Sequence, residues 1–418
     1  MKVGYVLLDG CGDRPVPSLN FTTPLEAAYT PNLDRISAHA RLGSVTTVGR
    51  GIAPESDIAV FNMLGYAFGG DYPGRGVVEA VGAGLKMRDG DLALRANFAS
   101  ARGRRIVDRR AGRNLTQEEA DRLAEEINAM KLDGAQVTFR STVSYRGVLL
   151  IRDKEKLSAS ISNTDPAYAR VGGFGAAKEL TGSDTMMQSV PESKVPEARR
   201  AAQLVNEFTS KALVVLAKSD VNSERLRLGK LPANCVLLRD AGDHLPKLVP
   251  FAKKYGMKGT ALVEMPAEVG ISELLGMNKI MIKDRNDMKE KAALFASELE
   301  DEKVVYVHIK GPDEFGHDGD ARGKKRNIEL IDRDFFSACV KHLGEATIAV
   351  SCDHATPCTI KMHSSDPVPL LISSGGRGDG MRFTEANARR GSLGSLRGSE
   401  VLGLVVRGKF RRRTSSAA

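Results

Sequence analysis

The stretch "KGPDEFGHDGD" (310–320) concentrates acidic and imidazole side chains directly after an apolar run. These side chains are Asp313, Glu314, His317, Asp318 and Asp320. Carboxylates crowded in this way repel one another and resist burial unless a cation compensates their charge. Asp313 and His317 are four residues apart, so within one helical turn both side chains can reach the same metal ion.

Other predicted strands also end in residues of the kind that bind metal ions. Asp9 ends the run "VGYVLLD", Asp353 and His354 follow "TIAVSC", and His363 follows "CTIKM". Ligands of doubly wound sheets bind beyond the carboxyl ends of the strands, so we expect these side chains to lie together. Carboxylate oxygens combined with imidazole nitrogens suit Zn, Mn, Fe, Co or Mg rather than Ca or Cu(I). Three carboxylates and three imidazoles are sufficient for two ions.

A nucleophile for such a site is available in "GRGIAPESDIAVFNMLGY" (49–66). Ser56 follows a glycine-rich segment and begins an apolar helix, where backbone N–H groups and the helix dipole favour an alkoxide and a bound phosphate. A serine in this place is also a common N-cap residue. A metal ion within reach decides between these interpretations, because coordination activates a hydroxyl.

The elements that would position these residues alternate along the chain. Near-continuous apolar runs occur at 3–9, 212–217, 235–240, 259–264, 304–310, 347–353 and 369–375. Helical patterns occur at 196–212, 287–301 and 324–344. Continuous apolar runs are typical of strands that are covered on both faces. The sequence therefore predicts an α/β fold with a mostly parallel sheet flanked by helices.

The segment 76–185 has a different character. It is rich in Arg and Gly, shows alternating polar strands at 136–152, and contains one clear helix at 116–130. Alternation of this kind indicates antiparallel pairing, so we predict an inserted α+β domain. The predicted organisation is a core of residues 1–75 plus 186–405, an insertion at 76–185, and a disordered basic tail at 406–418.

The formal net charge of +9 and the pI of about 9.2 indicate an anionic partner. Aromatic residues make up only 5% of the chain, and no zinc-finger or helix-turn-helix pattern is present, so we do not expect nucleic-acid binding. A small, multiply anionic substrate fits the charge better. The candidates for binding its phosphate or carboxylate are Arg75, Arg95, Arg109, Arg113 and Lys258.

The cysteine pattern and the hydropathy indicate a cytoplasmic protein. Five cysteines at irregular spacing predict free thiols in a reducing compartment, without a disulfide framework. No stretch reaches the roughly 18 apolar residues of a membrane span. The N-terminal run is interpreted as a strand and not as a signal peptide, because no small-residue cleavage site follows it. The oligomeric state stays open, and a homo-oligomer is compatible with the sequence.

Seven segments together resemble the archaeal-type 2,3-bisphosphoglycerate-independent phosphoglycerate mutases of the alkaline phosphatase superfamily. They are "LLDGCGDRP", "APESDIAVFNMLGY", "GRGVVEA", "DRRAGR", "SNTDP", "KGPDEFGHDGD" and "CDHATPC…MHSSDPVP". The resemblance runs from residue 1 to about residue 405. It implies an alkaline-phosphatase-like core with an inserted cap domain. It also implies two divalent metal ions (Mn, Co, Zn or Mg) and no 2,3-bisphosphoglycerate cofactor.

The resemblance implies a role for each motif residue. One metal ion would be bound by Asp9, Ser56, Asp353 and His354. The second would be bound by Asp313, His317 and His363. Ser56 would be the nucleophile that carries the phosphoryl group as phosphoserine. Asn163 and Ala167 stand where relatives often have Asp and His, so proton transfer would fall to Asp165 or to another group.

The reaction implied by the resemblance interconverts 3-phosphoglycerate and 2-phosphoglycerate, in glycolysis and gluconeogenesis. The arginines would hold the glycerate carboxylate, and exclusion of water would prevent hydrolysis of the phosphoserine. One alternative is a metal-dependent phosphohydrolase or another phosphomutase of the same superfamily. A second alternative is a basic binding protein without catalysis. The segment "DRRAGR" and the complete set of seven metal-ligand candidates favour the mutase.

Overall fold

The computed structural model of the protein describes residues 1–171, 174–177, 184–284 and 286–408. The chain forms two compact units. Unit 1 comprises Met1–Phe68, Leu248–Glu264 and the chain from Leu275 onward, and unit 2 comprises Gly69–Lys247 and Met265–Leu274. Residues 409–418, which make up most of the predicted basic tail, lie outside the described residues.

The helices and strands are as follows. The strands are β1 (Val3–Leu8), β2 (Ala40–Thr46), β3 (Leu92–Arg102), β4 (Arg105–Asp108), β5 (Gln136–Ser141), β6 (Arg146–Arg152), β7 (Tyr168–Val171), β8 (Phe174–Ala177), β9 (Cys235–Gly242), β10 (Gly259–Val263), β11 (Asn278–Met281), β12 (Val304–Ile309), β13 (Thr347–Cys352), β14 (Val368–Ser373) and β15 (Gly394–Arg397). The helices are α1 (Pro24–Ala27), α2 (Pro31–Ala38), α3 (Ser56–Met63), α4 (Arg75–Gly82), α5 (Gln117–Asn128), α6 (Pro196–Ala217), α7 (Asp220–Arg227), α8 (Phe251–Tyr255), α9 (Pro266–Leu275), α10 (Met288–Glu298), α11 (Pro312–Asp318), α12 (Ala321–Ile331), α13 (Ser337–Cys339), α14 (Glu385–Ala388) and α15 (Gly398–Arg407).

Unit 1 is built on a sheet with the strand order β11-β10-β12-β1-β13-β14-β2-β15. The strands from β11 to β13 in this order are parallel, whereas β14 is antiparallel to both of its neighbours. Every residue of β1 and β12 is buried, which explains why both strands read as continuous apolar runs. The predicted α/β fold with a mostly parallel sheet is confirmed.

Helices of unit 1 pack closely on this sheet. The ring of Phe295, on α10, lies against Gly4 of β1, where a Cβ atom would approach it to 2.7 Å. Its centroid is 5.2 Å from that of Phe335, and both rings are fully buried. Truncation of a buried phenylalanine costs about 3–5 kcal/mol, so contacts of this kind hold the sheet and its strand ends in place.

Unit 2 contains an antiparallel sheet centred on β3, which pairs with β4, β6 and β9, while β5 pairs with β6. Its core includes the rings of Phe98, Phe139 and Phe208, with centroid separations of 5.3 and 6.4 Å along this series. Phe208 belongs to α6, so this helix covers one face of the sheet. The antiparallel strands predicted within 136–152 are present as β5 and β6.

Unit 2 is larger than the insertion predicted at 76–185. The strand β9 pairs along β3 from Ala93 to Ala99, and α6 packs into the same core, which brings the chain up to Lys247 into this unit. The predicted strand at 212–217 is wrong. These residues complete α6, because Ala212 and Leu216 continue the buried stripe that contains Phe208.

The other predicted helices are present in the structure, but some of them begin or end at other residues than predicted. The helix predicted at 116–130 is α5, and Thr116 and Glu119 form its capping box. The pattern at 287–301 corresponds to α10, with Asp287 as the N-cap. The stretch 324–344 begins within α12 and continues through a π-helical turn at Asp332–Phe336 and then α13. Among the described residues, no helix combines the length and the hydropathy that a membrane span requires.

Candidate active site

Three parallel strands of unit 1 end at one edge of the sheet. Leu8, the last residue of β1, is paired with Ile309 of β12 on one side and with Cys352 of β13 on the other. The next residues, Asp9 and Asp353, therefore emerge side by side. The chain after β12 turns directly into α11 and presents the side chains of that helix at the same edge.

The glycine after Asp9 allows a close approach between two of these segments. Gly10 has φ +56°, and a Cβ atom on it would lie 2.8 Å from the Cβ of Asp313 and 2.6 Å from Thr356 Oγ1. Its backbone N–H donates a hydrogen bond to Asp353 Oδ1 at 3.0 Å. A side chain at residue 10 would separate the carboxylates that this turn brings together.

Side chains that can bind a metal ion form three overlapping groups in unit 1. Their members are Asp313, His317 and His363; Asp9, Asp313 and His354; and Asp9, His308 and Asp353. Within each group the ligand atoms lie within 4.8 Å of one another. Nε2 of His317 and Nε2 of His363 are both 3.5 Å from carboxylate oxygens of Asp313.

Hydrogen bonds orient the imidazole rings so that Nε2 faces the carboxylates. His363 Nδ1 donates to the carbonyl oxygen of Pro54 at 2.8 Å, and His317 Nδ1 donates to that of Lys361 at 3.1 Å. Nε2 then carries the lone pair, which is the arrangement expected of a metal-binding histidine. The Nε2 of His354 is 3.4 Å from both Asp9 and Asp353.

Ser56 is the first residue of α3 and lies among these groups. Its Oγ is 3.2 Å from Nε2 of His354 and 3.5 Å from Oδ1 of Asp9. Glu55, one residue earlier, occupies the N-cap position. The hydroxyl therefore faces the carboxylate–imidazole cluster, which favours the nucleophile interpretation over the capping interpretation.

The remaining motif residues have other surroundings. His363 does not follow a strand, since the residues of the "CTIKM" run form a turn between β13 and β14. Asp320 is the N-cap of α12, and its Oδ1 accepts the N–H of Gly323 at 2.8 Å. Glu314 and Asp318 are exposed. None of these three acids belongs to the ligand groups found among the described residues.

Two residues of this cluster, His308 and Lys310, were not predicted from the sequence. His308 is the penultimate residue of β12, and Lys310 follows the strand. His308 is buried, and its Nε2 is 3.2 Å from Asp353 Oδ2. Lys310 Nζ is 3.0 Å from Asp9 Oδ2 and 3.1 Å from His308 Nδ1. The sequence feature that could have identified His308 is its place in the run "VVYVHIK". A polar histidine among apolar strand residues indicates a function other than packing.

The charges in this cluster shift the pKa of its members. Burial alone would raise the pKa of Asp9, but Lys310 and His308 outweigh it and hold that pKa well below its usual value. Burial and Lys310 oppose protonation of His308, yet Asp353 and Asp9 raise its pKa to about 9. The pKa of His354 is also raised, by Asp353 and Asp9 against burial. A negative potential of this kind attracts cations.

The donor set fits divalent metal ions. It combines buried carboxylates with imidazoles whose Nε2 atoms converge, and Asp353 Oδ2 lies 3.2 Å from Nε2 of His308 and 3.4 Å from Nε2 of His354. Ligands of this type suit Mn, Co, Zn or Mg. The ammonium of Lys310 lies beside Asp9 and His308. It therefore neutralises part of the negative charge of the group formed by Asp9, His308 and Asp353.

Unit 2 contains a continuous network of arginines and carboxylates. In order of contact, its members are Arg75, Glu79, Arg95, Asp240, Arg239, Asp165 and Arg109. Arg95 contacts Glu79 and Asp240, each at 3.0 Å. Burial would raise the pKa of Glu79, but Arg95 and Arg75 outweigh it and lower that pKa. With four guanidinium groups and three carboxylates, the network retains a positive charge.

Asp165 lies at one end of this network and is fully buried. It contacts the guanidinium groups of Arg109 and Arg239. Asn163 accepts the N–H of Asp240 at 3.2 Å and donates through Nδ2 to the carbonyl oxygen of Tyr168. An ionised aspartate could not donate, so the asparagine has a structural role in this segment.

Arg239 was not predicted from the sequence. It is 4% exposed, its guanidinium lies 4.2 Å from the centroid of Tyr168, and it contacts Asp165 and Asp240 at 3.4 Å. Stacking on an aromatic ring and shared carboxylates fix the orientation of such a group. The sequence feature that could have identified Arg239 is the charged pair at the end of the otherwise apolar run "CVLLRD".

Two predicted binding residues lie elsewhere. Arg113 is exposed on a left-handed turn in which Ala111 and Arg113 have φ of 46° and 55°, and the buried Arg225 donates to the carbonyl oxygen of Ala111. Lys258 precedes β10, and its carbonyl oxygen accepts the N–H of Val304 at the start of β12. A six-residue strand spans about 20 Å, so Lys258 is remote from the carboxylate–imidazole cluster and its assignment to substrate binding is withdrawn.

Comparison with known proteins identifies the family. A family model described as 2,3-bisphosphoglycerate-independent phosphoglycerate mutase matches residues 37–222. A protein of that name from Aeropyrum pernix is 44% identical, with 95% of this chain and 97% of the relative covered. The chain belongs to the 2,3-bisphosphoglycerate-independent phosphoglycerate mutase family. A mutase from Methanopyrus kandleri is 39% identical over 97% of this chain and 95% of its own length.

Solved structures agree with this membership of the phosphoglycerate mutase family. The cofactor-independent phosphoglycerate mutase from Thermoplasma acidophilum has a TM-score of 0.63 and 31% identity, and covers 97% of this chain and 99% of its own. The PH0037 protein from Pyrococcus horikoshii has a TM-score of 0.78 and 30% identity, and covers 100% and 99% of the two chains. The matches extend over nearly the whole chain and therefore include both units.

Proposed function

We propose that the protein interconverts 3-phosphoglycerate and 2-phosphoglycerate through a phosphoserine at Ser56, without a 2,3-bisphosphoglycerate cofactor. The observation that carries the proposal is the position of the Ser56 hydroxyl, 3.2 Å from His354 and 3.5 Å from Asp9 at the start of α3. Membership of the phosphoglycerate mutase family supplies the substrate class. The helix N-terminus and the cluster together favour a nucleophilic oxygen and a bound phosphoryl group.

The proposed reaction has two balanced transfers. In the first, Ser56 Oγ forms a bond to phosphorus, the bond from phosphorus to the 3-oxygen of the substrate breaks, and the serine proton passes to that oxygen. In the second, the 2-hydroxyl oxygen of the glycerate forms a bond to the phosphorus of the phosphoserine, the bond from phosphorus to Ser56 Oγ breaks, and the hydroxyl proton is delivered to Ser56 Oγ. Phosphoryl transfer depends mainly on positioning and charge neutralisation, which the clustered side chains of this chain provide.

The same residues would hold two divalent metal ions. We assign Asp9, Ser56, Asp353 and His354 to one ion and Asp313, His317 and His363 to the other. When bound, such ions stabilise negative charge and lower the pKa of a coordinated hydroxyl. The overlap of the groups at Asp313 and Asp9 supports two neighbouring sites. Mn, Co, Zn and Mg all suit these ligands.

The arginine network of unit 2 has the charge and the donor geometry that a carboxylate needs. We assign the carboxylate of the glycerate to the arginine network, with Arg75, Arg95, Arg109 and Arg239 as its guanidinium groups. Because the carboxylates of the protein already orient these groups, little side-chain entropy is lost when a substrate carboxylate binds. Arg113 stays a candidate from the sequence, although it is exposed on a turn outside the ion pairs of this network.

Asp165 is the proposed acid/base group that relays the protons of the two transfers. It is buried, and Arg109 and Arg239 hold its two oxygens in place. Ala167 cannot replace the histidine that relatives often have, so this segment offers one titratable candidate. A cytoplasmic location and the oligomeric state stay predictions.

A related phosphohydrolase is the second candidate function, because the cluster around Ser56 would serve hydrolysis equally well. The two functions differ in the fate of the phosphoserine. We expect purified protein, supplied with Mn²⁺ or Co²⁺ and 3-phosphoglycerate, to form 2-phosphoglycerate in a ³¹P NMR time course without added 2,3-bisphosphoglycerate. Release of inorganic phosphate as the sole product would establish the phosphohydrolase instead.

Substitution of Arg239 tests the role of the arginine network. We expect Arg239→Lys to raise KM about tenfold and to change kcat less, because an ammonium cannot stack on Tyr168 and contact two carboxylates at once. Arg227→Lys is the matched control, since Arg227 is exposed on α7 and, among the described residues, pairs only with Glu224 of the same helix. Steady-state kinetics with an unchanged KM for Arg239→Lys would remove Arg239 from the binding set.

A further inference from the structure

Lys324, on α12, is a fully buried lysine outside the proposed chemistry. Its ammonium donates to three oxygens: Asp13 Oδ2 at 2.8 Å, the carbonyl oxygen of Thr356 at 2.9 Å and that of Gly12 at 3.3 Å. A buried ammonium is costly unless it is paired and its hydrogen-bonding capacity is used. Here all three N–H groups of the ammonium have an acceptor.

The three acceptors lie on the two loops that carry metal-ligand candidates. Gly12 and Asp13 belong to the loop after β1, which begins with Asp9. Thr356 belongs to the loop after β13, which begins with Asp353 and His354. The loops also bond to each other, through Thr356 N to Gly12 O at 3.0 Å and Cys358 N to Asp13 Oδ1 at 3.1 Å.

Thr356 connects the hydrogen bonds of Lys324 to both proposed metal sites. Its Oγ1 donates to Asp313 Oδ1 at 2.6 Å and lies 3.1 Å from Nδ1 of His354. If the backbone of Thr356 moved, its side-chain contacts with Asp313 and with His354 would both change. One of these residues is a proposed ligand of each metal ion. Residues that hold metal ligands through such contacts typically affect metal affinity by 10–100-fold.

We infer that Lys324 is a positioning residue that fixes the loops after β1 and β13 in the arrangement that binds divalent metal ions. The inference rests on the metal sites of the proposed function. Asp13 compensates the charge of Lys324, while the carbonyl oxygens of Gly12 and Thr356 receive the hydrogen bonds that set the spacing of the loops. A structural role alone would not require acceptors on both ligand-bearing loops.

The test measures Mn²⁺ affinity by calorimetry, together with the visible absorption spectrum of the Co²⁺-loaded protein. We expect Lys324→Met to weaken Mn²⁺ binding at least about tenfold and to change the Co²⁺ spectrum. Lys325→Met is the matched control, because Lys325 is the next residue on α12 and bonds only to Glu329 within the described residues. Its affinity should stay within about twofold of the wild type.

A double variant separates positioning from stability. Lys324→Met alone leaves Asp13 as an unpaired buried charge, whereas Asp13→Asn combined with Lys324→Met removes that charge. We expect the double variant to recover much of the thermal stability and to retain the weak Mn²⁺ affinity. Wild-type affinity in either variant, or recovery of affinity together with stability, would overturn the inference. If the wild type binds Mn²⁺ but forms no 2-phosphoglycerate, the proposed function fails and the inference about Lys324 stands.

Discussion

Replacement of Ser56 by alanine is expected to lower kcat by a factor of about 10⁴ or more, because the methyl group cannot accept the phosphoryl group. Ser56 contacts His354 and Asp9 through its hydroxyl, and its loss leaves the three ligands proposed for the second ion, Asp313, His317 and His363, in place. We therefore expect the melting temperature to stay near that of the wild type and Mn²⁺ to remain bound. Steady-state turnover and calorimetry on the same preparation measure both properties.

Ser297→Ala is the control for this substitution. Ser297 lies on α10 and is exposed, and its one hydrogen bond within the described part of the chain goes to the carbonyl oxygen of Leu294 in its own helix. Its turnover should equal that of the wild type. Turnover above about a tenth of the wild-type value in Ser56→Ala would exclude Ser56 as the nucleophile and would leave the phosphoserine mechanism without support.

The second large effect is expected for Asp313→Asn, which removes a negative charge at nearly constant volume. Asp313 belongs to two of the three ligand groups and lies 3.5 Å from the Nε2 atoms of both His317 and His363. We expect divalent-ion affinity to fall at least about 100-fold and turnover to fall with it, since a carboxamide is a much weaker ligand than a carboxylate.

Asp318→Asn provides the control for the Asp313 substitution. Asp318 is on the same helix, α11, and is exposed. Its variant should bind ions and turn over like the wild type. Chelation of the wild type should abolish turnover, and add-back of Mn, Co, Zn or Mg should restore it to different extents. Full activity of Asp313→Asn, or of the chelated wild type, would contradict a metal-dependent mechanism.

Most of the metal-ligand candidates could be predicted from the sequence, because the strands of a parallel sheet end at the same edge. Continuous apolar runs located β1, β12 and β13, and polar residues at their carboxyl ends could be expected to meet at one edge. His363 was selected for the wrong reason. It lies on a turn, and its imidazole is brought into place by a hydrogen bond to Pro54, a long-range contact that no local pattern specifies.

Other features depended on tertiary contacts that composition does not reveal. The run "ALVVLA" has strand-like residues, yet burial of Ala212 and Leu216 beside Phe208 extends α6 through it. The strand β9 has the apolar character of a core strand but pairs with β3 in unit 2. Lys258 was a plausible cation by type alone, and its place at the start of a strand removes it from the cluster.

His308 and Lys324 show the same limit for buried ionisable residues, His308 in the apolar run "VVYVHI" and Lys324 in the basic run "RGKKR". Each is buried, and each is compensated by partners far away in the chain, Asp353 for His308 and Asp13 for Lys324. A charged residue in a buried run signals that a partner exists, but only the fold identifies the partner. Functional constraints of this kind are where local sequence rules are expected to fail.

The most direct test of the account is the site of phosphorylation during turnover. The wild-type protein, loaded with Mn²⁺ and mixed with 3-phosphoglycerate, is quenched in acid within the first turnovers, digested and mapped by mass spectrometry. We expect phosphate on Ser56 in the wild type and none in Ser56→Ala, together with conversion to 2-phosphoglycerate by the wild type. Turnover to 2-phosphoglycerate without phosphate on Ser56, or with phosphate on another residue, would contradict it.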